Sequence, residues 1–283
     1  MNRQSNNNIR VRKPRGRKKS GRGFLRIFHR VPIWSFLVGG ILVGIVYCFV
    51  LFYFFVDPYS FQWKAIYGEP IYPEGYKVRG VDISHYQERI DWERLRNASM
   101  NNDPVTFVII KATEGVSLMD DNFNENFYLA RRHGFIRGAY HFMTPDVPAD
   151  KQAHFFLHQV HLESGDLPPV LDIEDKRRWK SVPDKEIQRR ALEWLRIVEQ
   201  HYGVRPIIYS GLSFRRDILT DTTFNRYPYW MAHYYVERPT YKGEWAFWQH
   251  TDCGKVDGIK GLVDCDVYNG TMTDFMQTLI KEE

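Results

Sequence analysis

The sequence predicts an α/β protein in which one transmembrane helix precedes an irregular β/α barrel of the TIM type. Three observations support this: an uncharged run near the N-terminus, alternating strand-length and helix-length apolar patterns after it, and acids where several predicted strands end. Eight candidate strands suit a small barrel whose later strands are joined by loops. An open doubly wound sheet is the alternative, although no GxGxxG motif follows a strand to favour a dinucleotide fold.

The first element is the run 31–56, which contains 26 residues without a charge. A helix rises about 1.5 Å per residue, so this run is long enough to cross a hydrocarbon core of about 30 Å. No small-x-small cleavage site follows it, which argues against a cleaved signal peptide. We therefore predict that the chain is held in a membrane through residues 31–56.

The charge distribution predicts the orientation of this anchor. Residues 1–30 contain eleven Lys or Arg and no acid, whereas the rest of the chain carries 28 basic and 34 acidic residues. The positive-inside rule then makes residues 1–30 a basic cytoplasmic tail and places residues 57–283 in the periplasm or outside the cell. Since topology explains the basic tail, we predict no nucleic-acid partner.

The exported part divides into a stalk, 57–78, which is rich in Pro and Gly, and a catalytic domain, 79–283. The candidate strands are Arg79–Ile83, Val105–Lys111, Ile136–Phe142, Val170–Ile173, Arg205–Ser210, Tyr229–Tyr234, Trp245–Gln249 and Gly261–Asp264. Helical patterns between the first five are Trp92–Ala98, Asn122–His133, Ala149–Glu163 and Lys185–Tyr202. This alternation predicts a parallel sheet, in which chemistry gathers at the carboxyl ends of the strands.

The segment LPPVLDIEDK, 167–176, carries two acids at the end of a buried strand. Residues i and i+2 of a strand point to the same side, so Asp172 and Glu174 project together. Two carboxylates this close raise at least one pKa, which allows a carboxylic acid to donate a proton near neutral pH. A lone DxE is also typical of an exposed acidic loop.

Two further strands favour a site over that alternative. Asp82 lies near the end of the first predicted strand and Asp264 at the end of the last. Buried unpaired carboxylates are costly, so three strands that each bring acids to one edge favour a functional site. Other polar residues at strand ends are Lys111, Glu114, Tyr140, His141, Tyr209, His233, Tyr234 and Gln249. The two histidines are more often structural than catalytic at such positions, and the tyrosines are equally suited to a core.

The motifs of residues 79–275 resemble, in order, those of the family 25 glycoside hydrolases, which are lysozymes (N-acetylmuramidases). The matching stretches are GVDISHYQ (80–87), IDW (90–92), FVIIKATEG (107–115), GAYHF (138–142), QAHFFL (152–157), LPPVLDIED (167–175), PIIYSG (206–211), WMAHY (230–234), FWQH (247–250) and GLVDCDVYNG (261–270). The resemblance implies a barrel of five β/α units and three further strands. It also implies cleavage of the β-1,4 bond between N-acetylmuramic acid and N-acetylglucosamine in peptidoglycan glycan strands.

The same resemblance implies roles for individual residues. Glu174 corresponds to the general acid, and Asp172 to the residue that assists the acetamido group of the substrate. Asp82 and Asp264 correspond to supporting acids of the site. The residues expected to line the substrate groove are Tyr140, Tyr209, Tyr234 and Gln249.

Competing interpretations follow from the same residues. A catalytically inactive, membrane-tethered wall-binding protein would need this fold but not its acids. Another glycosidase or a deacetylase on a similar barrel is a third possibility. A deacetylase would normally need a metal site, and the sequence has no apparent His/Asp ligand cluster and no HExxH or CxxC pattern, so we predict neither a metal nor a cofactor. Cys253 and Cys265 form either a disulfide or a pair of buried thiols, and the sequence makes no prediction of oligomeric state.

Overall fold

The structure, a computed structural model, describes residues 32–52 and 70–282. In the first of these stretches, helix α1 spans Ile33–Leu51. Its segment Trp34–Leu51 has a mean hydropathy of 2.3 and is long and apolar enough to cross a membrane. The predicted tail 1–30, the ends of the predicted span and most of the predicted stalk lie outside the described residues.

Residues 70–282 form a β/α domain. Its strands are β1 Arg79–Ile83, β2 Ser99–Met100, β3 Asp103–Glu114, β4 Leu118–Met119, β5 Ile136–Phe142, β6 Val170–Asp172, β7 Ile207–Gly211, β8 Tyr229–Ala232, β9 Phe247–Gly254 and β10 Val263–Tyr268. Its helices are α2 Trp92–Asn97, α3 Phe123–Arg132, α4 Ala149–Gln159, α5 Asp184–Tyr202, α6 Leu212–Asp217 and α7 Met272–Thr278. Short 3-10 turns span His85–Gln87 and Thr222–Arg226.

Within this domain, eight strands close into a barrel in the order β1-β10-β9-β8-β7-β6-β5-β3, because β1 also pairs with β3. Seven of these strands run parallel, each paired with the next in the order β1, β3, β5, β6, β7, β8 and β9. β10 is antiparallel to both of its neighbours, β9 and β1. The predicted barrel is confirmed, and the closed order excludes an open doubly wound sheet.

The core has one layer between barrel and helices and another inside the barrel. Helix α5 contributes Ile187, Ala191, Leu195 and Val198 to the outer layer, at the three- and four-residue spacing of one helix face. Inside the barrel, aromatic rings pack closely on the backbone. A Cβ added at Gly80 would lie 2.2 Å from the Phe107 ring, so this position requires glycine.

Residues 70–78, which the sequence analysis assigned to the stalk, pack against the barrel. Arg79 Nη2 donates a 2.8 Å hydrogen bond to the carbonyl of Pro73, and Tyr72 meets the His250 ring edge-on with centroids 5.9 Å apart. Val78 is fully buried. We therefore propose that the catalytic domain begins no later than residue 70, earlier than the predicted boundary at 79.

The last strand, β10, differs from the prediction in direction and extent. The sequence placed Asp264 at the end of a strand Gly261–Asp264, whereas β10 begins at Val263 and runs on to Tyr268. Because β10 is antiparallel, its beginning lies at the carboxyl end of the parallel strands. Asp264 thus reaches the predicted edge, but from the opposite direction.

Candidate active site

A cleft of about 360 Å³ opens at the carboxyl end of the parallel strands. Its lining includes Asp82, Ser84, Tyr86, Lys111, Glu114, Tyr140, Phe142, Asp172, Glu174, Arg178, Tyr209, Trp230, Gln249 and Asp264. The structure therefore brings seven of the eight predicted site residues to one surface. The eighth, Tyr234, is not one of the lining residues, but its hydroxyl donates a hydrogen bond to Oε1 of the lining residue Gln249. Three larger cavities among the described residues, of about 600, 1030 and 530 Å³, are lined by none of the four predicted acids.

Asp172 and Glu174 occupy the cleft because the strand alternation continues past the end of β6. The backbone N–H of Met143 donates a 2.9 Å hydrogen bond to the carbonyl of Asp172, and the N–H of Ile173 donates one of 3.1 Å to the carbonyl of Tyr209. Ile173 is fully buried in the outer core. Its two neighbours consequently point the other way, into the cleft.

The chain turns sharply after Glu174. Asp175 has a φ of 55°, in the left-handed region, and its Oδ1 accepts a 3.0 Å hydrogen bond from the backbone N–H of Arg177. The carbonyl of Asp175 accepts a further bond from the N–H of Arg178 at 2.9 Å, and Trp179 is buried beneath the turn. This geometry returns Arg178 to the wall of the cleft.

Burial makes both central acids hard to ionise. Desolvation raises the pKa of Asp172 well above its ordinary value, repulsion by Glu174 adds to this, and the charge of Lys111 opposes it. Desolvation also raises the pKa of Glu174, with Asp175 adding to the effect and Arg178 opposing it. The pair therefore holds a proton at higher pH than separate, solvated carboxyl groups would.

A second group of acids lies across the cleft on β1 and β10. Asp82 and Asp264 are direct cross-strand neighbours, and Asp82 accepts a 2.6 Å hydrogen bond from Gln249 Nε2. Burial raises the pKa of Asp82 well above its ordinary range, and repulsion by Asp266 raises it further. The pKa of Asp264 is raised by burial and then by Asp82.

Asp266 was not among the predicted site residues. It is fully buried and accepts a 2.8 Å hydrogen bond from the indole N–H of Trp230. The sequence did contain a signal for it, because Asp264 and Asp266 repeat the i, i+2 spacing of Asp172 and Glu174.

The groove residues form a hydrogen-bonded chain that ends on Asp82. The hydroxyl of Tyr209 donates to Gln249 Oε1 at 2.7 Å, the same oxygen that accepts from Tyr234. With its oxygen engaged twice, the Gln249 amide presents its N–H to Asp82. Tyr140 lies in the same electrostatic environment, because burial and then the charge of Asp82 raise its pKa well above the ordinary value.

Several lining residues were absent from the predicted site. Lys111 and Glu114 form an ion pair at 2.6 Å on β3, and the sequence analysis noted them only as polar residues at a strand end. Tyr86, at the mouth of the cleft, is 78% exposed, and its ring lies against that of His85 at a tilt of 36°, with centroids 4.1 Å apart. His85 is itself held by Asp120 at 2.8 Å. An exposed aromatic in a turn has no periodicity, so only its place beside the cleft identifies it.

His141, Cys253 and Cys265 are not among the residues that line the cleft. His141 is fully buried between Thr113 and Gln152, at 2.8 and 3.2 Å, and burial lowers its pKa to about 3, as suits a structural residue. The structure holds Cys253 and Cys265 as buried thiols. The strand register places Cys265 opposite Thr251, so the two cysteines are not direct cross-strand partners.

The chain is similar to known proteins in both sequence and fold. Residues 81–259 match the family described as glycosyl hydrolases family 25. The chain is 46% identical to YegX of Escherichia coli K12 over 71% of this chain and 73% of YegX. It is 33% identical to lysozyme M1 of Streptomyces globisporus over 69% of this chain and 68% of that protein. In fold it is similar to the bacterial lysozyme from Streptomyces coelicolor, whose crystal structure it matches with a TM-score of 0.67 and 28% identity. The match covers 73% of this chain and 98% of the lysozyme chain.

Proposed function

The chain belongs to glycosyl hydrolases family 25, and we propose that it is a muramidase that cleaves peptidoglycan between N-acetylmuramic acid and N-acetylglucosamine. Lysozyme M1 and the Streptomyces coelicolor lysozyme, to which it is similar, support this activity. The observation that carries the proposal is the pair Asp172 and Glu174, which project together from the end of β6 into an acid-lined cleft.

Glu174 is proposed as the general acid that protonates the leaving oxygen of the glycosidic bond. A proton donor at neutral pH needs a pKa above that of a solvated carboxyl group, and burial of Glu174 works in this direction. Asp175 opposes the ionisation of Glu174 further, so the DIED sequence itself favours the protonated form. The side chain remains partly accessible from the cleft, as a group that touches substrate must be.

Asp172 is proposed to orient the substrate acetamido group and stabilise the positive charge that develops at the reaction centre. Its Oδ1 is buried and accepts no hydrogen bond from residues 32–52 or 70–282. A buried acceptor without a donor is costly, and an acetamido N–H would satisfy it. Lys111 favours the anion of Asp172, which is the form this role requires.

Asp82 and Asp264 are proposed as supporting acids on the opposite wall. Gln249 fixes the orientation of Asp82, and Tyr209 and Tyr234 fix that of Gln249. Tyr140 and Tyr209 line the groove beside them, and Tyr140, which is only partly buried, offers aromatic surface of a kind suited to a pyranose ring.

We also propose a single-pass membrane protein with its N-terminus in the cytoplasm and the catalytic domain in the periplasm or outside the cell. The basic tail 1–30 and the apolar helix α1 support this topology. Protease added to intact spheroplasts should remove the catalytic domain and spare the tail. A domain that survives until the cells are lysed would contradict this orientation.

Digestion of purified peptidoglycan by the detergent-solubilised full-length chain tests the proposed activity. Mass spectrometry of reduced products should reveal N-acetylmuramic acid at the new reducing ends. N-acetylglucosamine at those ends would identify a different glycosidase. Polymer binding without product from several peptidoglycans would instead favour a catalytically inactive wall-binding protein.

A further inference from the structure

We propose that Arg178 binds a carboxylate carried by the muramic acid substituent and thereby selects substituted glycan over plain poly-N-acetylglucosamine. This inference rests on the proposed function and adds a specificity-determining residue to it. The resemblance to family 25 assigned Arg178 no role, and it belongs to the basic run that follows the DIED sequence.

The position of the guanidinium group is defined on two sides. Its Cζ lies 4.8 Å from the centroid of the Phe142 ring, which is a cation–π distance. Its Nη1 is 3.7 Å from Glu114 Oε1, beyond hydrogen-bonding distance. The side chain is 52% exposed, so its donors remain accessible to a ligand in the cleft.

The charge of the cleft makes this wall the place where an anion can bind. Asp82, Asp172, Glu174 and Asp264 also line the cleft and offer a carboxylate no positive charge, and the anion of Asp172 would repel it. Lys111 lies 5.2 Å from the centroid of the same Phe142 ring that Arg178 covers. The two cations share one carboxylate, that of Glu114, and this wall therefore carries a net positive charge.

The other two members of the basic run have partners outside the cleft. Lys176 Nζ lies 3.6 Å from Asp184, and Arg177 forms a two-bond pair with the carboxylate of Asp175. Arg178 is the member of this run that lines the cleft. Its planar fork of donors matches a carboxylate, which is the group that distinguishes muramic acid and its stem peptide from N-acetylglucosamine.

Occupation of Arg178 would also assist the proposed acid. The positive charge of Arg178 opposes the raised pKa of Glu174. A bound carboxylate compensates that charge, so the correct substrate would help to keep Glu174 protonated. Selection and proton donation would then be linked through one side chain.

Binding measurements on full-length protein in detergent, carrying Glu174→Gln to prevent turnover, test the assignment. The probes are glycan fragments of equal length in three forms: with stem peptides, stripped by an amidase to leave the lactyl carboxylate, and chitin oligosaccharide. Adding Arg178→Gln should weaken binding of at least one carboxylated form about tenfold or more, since charge-assisted hydrogen bonds are the strong ones. Binding of chitin oligosaccharide should not change, and Arg177→Gln should behave like the parent on all three.

Loss with the peptide-bearing probe alone identifies a stem-peptide carboxylate, and loss with the stripped probe alone identifies the lactyl group. Equal loss on all three probes, or no loss on any, overturns the proposal. In the otherwise wild-type chain, Arg178→Gln should raise the pKa of Glu174. The basic limb of the pH–rate profile, where Glu174 loses its proton, should then move to higher pH. If wild-type protein cleaves peptidoglycan while these variants bind and titrate like their parents, the inference about Arg178 fails and the proposed function stands.

Discussion

The two ends of the barrel treat buried charge in opposite ways. At the amino end of the parallel strands, Arg79 pairs with Asp103 at 3.2 Å, and Arg137 meets Asp166 through two hydrogen bonds of 2.8 and 3.1 Å. At the carboxyl end, the acids cluster instead. Among the described residues, no Lys or Arg forms an ion pair with the carboxylates of Asp82, Asp172, Glu174, Asp264 and Asp266.

The pKa directions follow this difference. Although desolvation opposes it, hydrogen bonds from Lys77 and Arg79 lower the pKa of Asp103. Burial raises the pKa of each of the five clustered acids. The amino end thus uses charge to stabilise the fold, whereas the carboxyl end retains a destabilising arrangement that suits proton transfer.

The strongest test of the carboxyl end is Glu174→Gln, which keeps shape and hydrogen bonding but removes the transferable proton. We expect turnover of peptidoglycan to fall by about 10²- to 10⁴-fold, the usual contribution of general acid catalysis, with polymer binding largely retained. Asp175→Asn is the matched comparison, because asparagine accepts the left-handed backbone at position 175. It should keep far more activity than Glu174→Gln, with the loss of proton from Glu174 moved to lower pH, because Asp175 raises the pKa of Glu174. Near-normal turnover by Glu174→Gln would remove the assignment.

The amino end should respond in stability and not in chemistry. Arg137→Met would strand the buried Asp166 carboxylate, and breaking a buried pair from one side costs about 3–5 kcal/mol. Urea denaturation should record this loss, while kcat per folded molecule stays unchanged. The double variant Arg137→Met with Asp166→Asn should recover part of the stability; a double variant as unstable as the single one would argue against charge as the cause.

Removing an acid at the carboxyl end should have the opposite effect on stability. The pKa of Asp264 is raised in the folded state. Its contribution to the free energy of unfolding is therefore fully present below the ordinary pKa of Asp, and it is lost as the pH rises through the folded-state pKa. At neutral pH we expect Asp264→Asn to raise Tm by about 2–4 °C and to lower activity. The gain in Tm should vanish near pH 4, and a lower Tm at neutral pH would contradict the comparison.

The finest test concerns the two charges beside Asp172. Lys111 lowers its pKa and Glu114 raises it. The acid limb of the pH–rate profile is expected where Asp172 becomes protonated and loses its charge. Lys111→Met should therefore move this limb to higher pH, and Glu114→Gln should move it to lower pH. Shifts in the same direction would show that Asp172 does not control this limb.

Much of the barrel was predictable because its signals are local. The apolar run of α1, the alternation that orients Asp172 and Glu174, and the spacing of Ile187, Ala191, Leu195 and Val198 each depend on neighbours in sequence. Strand starts at Arg79, Ile136, Val170 and Tyr229 were correct for the same reason. Helix α7 was missed, although Thr271 and Asp274 form a capping box at its start.

What the sequence determined by itself was therefore the approximate positions of the eight barrel strands and of the helices between the first five, the apolar helix α1, and the side of each strand that carries an acid. These follow from residue periodicity and charge. Tertiary structure decided the reversed direction of β10, the packing of residues 70–78 on the barrel and the return of Arg178 to the cleft. It also brought Asp266 beneath Trp230. These features depend on hydrogen bonds and packing between residues far apart in the chain, and no local pattern specifies which distant strand will supply the partner.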